Sequence, residues 1–149
     1  MTEDTLIVSN WKMNLNIDNA NKLVNSIKKF NFPNNKKIKN IICPQFLLIP
    51  FISRLLENQN FILGSQDCHF EKKGSFTGDS SIELIKYFKC KYVILGHSER
   101  RNFHSEKNKF IRKKAEMALK VGLIPIICIG ESFTERKRNY LEVLFKQLE

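Results

Sequence analysis

The amino-acid sequence predicts an α/β fold of parallel βα repeats, and two observations carry that expectation. Short, almost continuously apolar runs recur at Thr5–Ser9, Ile38–Cys43, Phe61–Ser65, Tyr92–Leu95 and Ile124–Ile129. Runs of this length without polar alternation suit parallel strands buried on both faces. Longer stretches with helical spacing separate them, so strand and helix alternate along all 149 residues with no linker or low-complexity segment. Such alternation implies right-handed crossovers and helices packed on a parallel sheet.

Taken in order, Thr5–Ser9 leads into Asn10-Trp11-Lys12-Met13-Asn14. Asp18 can cap a helix through Leu23, Val24 and Ile27, which the Asn31–Pro33 region ends. After Ile38–Cys43, the segment Gln45–Asn58 carries Leu48, Ile52, Leu55 and Leu56 at helical intervals. Phe61–Ser65 is followed by Gln66–Asp79, longer than an ordinary βα connection and carrying Gly74 and Gly78. Long loops in compact domains tend to be functional. Ser81–Phe88 makes a short helix before Tyr92–Leu95. Ser105–Val121 makes a longer one, with Gly122 at its C-terminal end. Beyond Ile124–Ile129, Thr134–Leu148 places Leu141, Leu144 and Leu148 on one side of a last helix.

Composition narrows the class. Hydrophobic residues make up 42% and charged residues 27%, the balance of a globular protein. No apolar run reaches the ~18 residues of a membrane span. The opening Met1-Thr2-Glu3-Asp4-Thr5 is acidic where a signal peptide is basic, so a cytoplasmic protein without membrane association is expected. Cys43, Cys68, Cys90 and Cys128 are widely spaced, with no CxxC pair and no histidine at ligand spacing. They read as small hydrophobes, and neither a metal nor a cofactor is expected. The net charge of +10 raises nucleic acid as a partner. Its lysines are scattered, as in Asn34-Asn35-Lys36-Lys37 and Glu71-Lys72-Lys73, and no nucleic-acid-binding motif accompanies them. A solvated basic surface is the expectation, with no nucleic-acid partner.

Five βα units suit either an open flavodoxin-like sheet or just over half of a (β/α)₈ barrel, which takes ~250 residues. Both architectures place chemistry at the C-terminal ends of the strands. Asn10–Asn14 follows the first run, Gly96-His97-Ser98-Glu99-Arg100-Arg101 the fourth, and Cys128-Ile129-Gly130-Glu131 the fifth. Neither a GxGxxG nor a P-loop is present, which removes the usual support for a nucleotide-binding doubly wound sheet. The barrel is favoured.

Those three motifs, with Gly64-Ser65-Gln66-Asp67 and Gly74-Ser75-Phe76-Thr77-Gly78-Asp79 between them, resemble the triosephosphate isomerase family. The resemblance runs from near the N-terminus to the last residue. It implies a partial TIM (β/α)₈ barrel of about five of eight units, with residues 1–149 forming an incomplete barrel domain. It implies interconversion of glyceraldehyde 3-phosphate and dihydroxyacetone phosphate through an enediolate, a step of glycolysis and gluconeogenesis. Such chemistry needs a base, an electrophile that polarises the carbonyl, and a fixed positive charge. By resemblance His97 is the electrophile, Lys12 the positive charge near substrate oxygen and phosphate, and Asn10 a polar substrate contact. In that family the histidine is kept neutral at the N-terminus of a short helix, which Ser98-Glu99-Arg100 would begin here. Glu99 is implied to stand near Lys12 and His97 without taking the substrate's proton.

The resemblance also implies a homodimer. The Gln66–Asp79 loop would reach the neighbouring subunit, with Thr77 approaching its active site. Trp11 and Cys128 read as packing residues, and Glu131 as holding a loop or helix start. His69 and His104 match no catalytic element and read as surface residues. In the family the base is a glutamate on the loop after the sixth strand, and loops after strands six to eight hold the phosphate. Nothing in this sequence matches the sixth-strand motif, so low activity is expected of these residues alone, with the first and fifth strands as exposed edges. The alternative expectation is a non-catalytic, truncated α/β remnant that associates with a partner chain.

Overall fold

The computed structural model describes residues 5–29, 37–57 and 60–149. Five strands form one sheet in chain order: β1 (Thr5–Asn10), β2 (Ile38–Cys43), β3 (Phe61–Ser65), β4 (Tyr92–Leu95) and β5 (Ile124–Ile127). Every pairing is parallel, with Asn10 opposite Cys43, Gly64 opposite Tyr92 and Leu95 opposite Ile127. A flavodoxin-like sheet needs a reversal of strand order, and none occurs here. The sheet also curls, bringing β2 and β4 close to each other across its concave side. Consecutive order and curling together make this part of a (β/α)₈ barrel.

Helices α1 (Ile17–Lys28), α2 (Ile49–Leu55), α3 (Ile82–Tyr87), α4 (Ser98–Phe103), α5 (Asn108–Val121), α6 (Phe133–Arg136) and α7 (Tyr140–Leu148) complete the repeats. The main core lies between helices and sheet. Ala20 and Val24 of α1, Ile49 and Ile52 of α2, Ile82 and Ile85 of α3, and Ile111 and Ala118 of α5 pack on Ile42, Leu63, Val93 and Leu95. Each large aliphatic side chain removed from water this way contributes ~1.5–3 kcal/mol. A smaller cluster of Ile41, Cys43, Tyr92 and Ile94 fills the concave face.

Burial on both faces holds for β4 but fails for the outer strands. Leu6, Ile7 and Val8 of β1 and Ile124 and Ile127 of β5 are exposed, because each of these strands has a neighbour on one side only. Four helix assignments also differ from the sequence reading. The N-cap of α1 is Asn16, whose side chain accepts from the Asn19 N–H at 2.9 Å. Asp18 instead sits in the first turn, where a carboxylate favours the positive helix end. Gln45–Asn58 opens as a 3₁₀ turn at Phe46–Leu48 before α2, with Pro50 in the first turn of that helix. The long helix begins at Asn108 because Ser105 has φ 52, outside helical space. Thr134–Leu148 is two helices: Ser132 and Glu135 form a capping box for α6, and Asn139 at φ −130 separates it from α7. Gly122 ends α5 as expected, in the left-handed conformation at φ 82. The Asn31–Pro33 stop, the Met1–Asp4 opening and Asn58 lie outside the described residues.

Candidate active site

The site begins where β1 runs out of partners. Asn10 Oδ1 accepts from the Lys12 backbone N–H at 3.0 Å, a tight turn that holds Lys12 at φ 51. A non-glycine residue there is uncommon and stores backbone strain, which surrounding contacts must maintain. They do. The Trp11 N–H donates to the Cys43 carbonyl at 3.0 Å, and the Trp11 side chain is buried in the main core. Gln66 Nε2 donates to the Lys12 and Cys43 carbonyls, both at 2.9 Å, tying the ends of three strands together.

Gly96 makes the corresponding turn after β4, at φ 66. A Cβ at this position would lie 2.7 Å from Ile111 Cδ1. His97 follows as the N-cap of α4, its Nδ1 accepting from the Glu99 N–H at 3.3 Å. A ring nitrogen that accepts carries no proton, so the neutral imidazole has its hydrogen on Nε2. Arg101 braces the turn from below. Its guanidinium donates to the Gly96 carbonyl at 2.8 Å, to Asn108 Oδ1 at 2.6 Å and to the Cys128 carbonyl at 3.1 Å.

Across the gap, Lys12 Nζ meets Glu99 Oε1 at 2.7 Å, with the other carboxylate oxygen 3.4 Å from His97 Nδ1. The hydrogen bond from Lys12 holds the Glu99 carboxyl below its usual range, aided by the Lys12 charge and opposed by partial desolvation. Asn10, Lys12, Gln66, His97 and Glu99 line one cavity of about 380 Å³ at the C-terminal ends of the strands. Thr77 is elsewhere, on the exposed part of the Gln66–Asp79 loop. Glu131 accepts from Arg136 at 2.6 Å, beside the start of α6. Cys43, Cys68 and Cys90 are buried with free thiols that desolvation pushes up to about 12. Cys128 is half-buried. Among the described residues no group of His, Cys, Asp and Glu is placed to hold a metal, and no helix is long and apolar enough to cross a membrane.

Two features escaped the sequence reading. The first is a charge cluster partly in the cavity wall, to which Asp67 and Arg100 belong. Lys114 Nζ bonds Asp67 at 2.8 and 2.9 Å and also Glu106, while Arg100 Nε lies 2.9 Å from Asp67. Two carboxylates and two cations balance, which is what makes their burial tolerable. Desolvation pushes the Asp67 carboxyl up, and Lys114 and Arg100 act against that rise. The signal was present in the helical periodicity, since position 114 shares the buried row of Ile111 and Ala118. The second concerns His69, which is not a surface residue: its side chain is only 10% exposed and stacks between Phe70 and Phe76. His104 is exposed.

Comparison with known proteins bears on the family. A family model described as triosephosphate isomerase matches residues 5–149. The triosephosphate isomerase of Aquifex aeolicus is 39% identical over 145 residues, covering 97% of this chain and 57% of the relative. That of Wolbachia sp. subsp. Brugia malayi is 45% identical over 135 residues, covering 90% and 54%. That of Dictyoglomus thermophilum is 39% identical over 144 residues, covering 96% and 57%. The chain thus spans little more than half the length of the curated relatives it matches. With strand order, curl and family match in agreement, the chain belongs to the triosephosphate isomerase family.

Proposed function

We propose that this cavity is the carbonyl-polarising part of a triose-phosphate isomerase site, acting on glyceraldehyde 3-phosphate and dihydroxyacetone phosphate. The observation that carries the reading is the meeting of Lys12 and His97 in one cavity, with His97 Nδ1 already accepting from the Glu99 amide. That bond leaves Nε2–H as the donor for a substrate carbonyl. Triosephosphate isomerases are the standard example of a neutral histidine used in this way. Removing a proton beside the carbonyl loads charge onto its oxygen. The Nε2–H of His97 and the Lys12 ammonium are the groups that stabilise it. Glu99 keeps Lys12 extended across the site, and Asn10 offers an amide to the substrate while holding the Lys12 turn.

A base is needed as well, and the nearby carboxylates are committed: Glu99 to Lys12, Asp67 to Lys114, Glu131 to Arg136, and Glu135 to the Ser132 cap. By family resemblance the base is a glutamate after a sixth strand, outside these residues, as are the phosphate-holding loops. The reading places the reaction in cytoplasmic glycolysis and gluconeogenesis, with no cofactor. It includes a homodimer through the Gln66–Asp79 loop and Thr77, supported by Phe76, which is 41% exposed there. A second reading, a non-catalytic remnant that pairs with another chain, is favoured by the exposed apolar residues of β1 and β5.

Binding and turnover separate these. Under the isomerase reading the 149-residue chain binds dihydroxyacetone phosphate weakly, and Lys12→Met weakens binding about tenfold, the worth of a charged hydrogen bond. Turnover stays low, because a positioned general base alone supplies ~10²–10⁴-fold. Isomerisation at ~10 s⁻¹ or faster that disappears in His97→Ala would put the base inside these residues. Equal binding of dihydroxyacetone phosphate by the parent chain and Lys12→Met would favour the remnant.

A further inference from the structure

Away from the cavity, the Gln66–Asp79 connection holds a small aromatic core of its own. The His69 ring stacks on Phe70 with centroids 4.2 Å apart and meets Phe76 at 4.1 Å. Phe70 in turn stacks on Phe110 of α5 at 5.9 Å. Both ring nitrogens of His69 are engaged. Nδ1 accepts from the Glu71 N–H at 3.0 Å, and Nε2 faces Asp79 Oδ2 at 3.5 Å. The neutral ring therefore carries its hydrogen on Nε2, turned toward the Asp79 carboxylate. One imidazole thus links both ends of the loop, while the Asp79 N–H closes a turn on the Phe76 carbonyl at 3.1 Å.

We propose that His69 is a proton-sensitive latch for this loop, closed when the imidazole is neutral and released when Nδ1 takes a second proton. The reason is geometric. Protonated Nδ1 would point its hydrogen at another N–H 3.0 Å away, and two donors cannot share that space, so the turn at residues 69–71 opens. The charged groups around the ring divide. Asp79 faces the ring itself, whereas Lys113 of α5 lies 5.2 Å from the Phe70 ring centroid. Glu71 is exposed, and Lys72 is turned to Glu83 of α3 at 2.9 Å. Histidine ordinarily changes charge between about pH 5 and 8, so acidification from neutral is the range to test. The latch carries Phe76 and Thr77, so any contact made through them would share its pH dependence. It does not rest on the isomerase reading.

Imidazole tautomers and amide exchange of the 149-residue chain, read by NMR at about pH 7.5 and 5.5, test this, with rates corrected for intrinsic pH dependence. The expected result is an Nε2–H tautomer at the higher pH and a drop of about fivefold or more in Glu71 amide protection at the lower. His69→Phe keeps the stacking but loses the Nδ1 acceptor, so its Glu71 amide should exchange fast at both pH values. Asp79→Asn leaves the Nδ1 acceptor in place, so its Glu71 amide should stay protected at the higher pH. An Nδ1–H tautomer, random-coil shifts for His69, unchanged protection in the parent chain, or the same pH response in His69→Phe would each overturn the latch.

Discussion

Lys12 and Glu99 are 87 positions apart, yet their side chains meet at 2.7 Å because β1 and β4 end at the same rim. The hydrogen bond from Lys12 holds the Glu99 carboxyl below its ordinary 4.5. A lowered folded-state value means the contact contributes fully above the unfolded value and fades as pH falls through the folded one. A carboxyl-carbon NMR titration should therefore give Glu99 a midpoint below 4.5, and Lys12→Met should move it back up. An unmoved midpoint would mean that the pair does not form in solution. At Gly96, alanine must take φ 66 and place its Cβ 2.7 Å from Ile111 Cδ1. Gly96→Ala should cost roughly 1–3 kcal/mol in urea unfolding and shift the His97 resonances. These site residues were legible in the sequence because each follows an apolar run directly, and strand polarity then fixes the rim they share. His69 was not legible, because its partners Phe76 and Asp79 come together only through the folding of an irregular loop.

The helices differ in what they hold in place. α4 is a short helix with no buried residues of its own, so its position depends on Arg101, on the Gly96 turn and on the charge cluster reached through Arg100. α5 supplies the anchor of that cluster. Lys114→Met should destabilise the chain by ~3–5 kcal/mol, because it leaves Asp67 and Glu106 buried against a single guanidinium. Its exposed neighbour is the control: Lys113→Met should change stability by less than ~0.5 kcal/mol. Equal effects in chemical denaturation would show that the cluster is solvated. Periodicity gave the existence and order of the elements but not all their limits. Ser105 and Asn139 break helices by backbone conformations that apolar spacing does not register, and Asn16 displaces Asp18 as cap through side-chain geometry one turn too fine for pattern reading.

On the scale of the whole molecule, strand order distinguishes the two architectures that the βα alternation allowed. Five consecutive parallel strands with helices outside curve around a concave face that carries only a small apolar cluster. Both edges of the sheet keep exposed aliphatic side chains, and the family relatives are longer than this chain by the share it does not cover. The rim nevertheless holds Asn10, Lys12, His97 and Glu99 in mutual reach within these residues. The most direct test is the imidazole NMR spectrum of the chain's three histidines, recorded as dihydroxyacetone phosphate is added. The expected result is a neutral His97 in the Nε2–H form whose signals move saturably with ligand, while those of His69, which lies outside the cavity, stay nearly fixed. A His97 in the Nδ1–H form, or a His97 that responds no more than His69, would contradict the assignment of His97 as the group that polarises the substrate carbonyl.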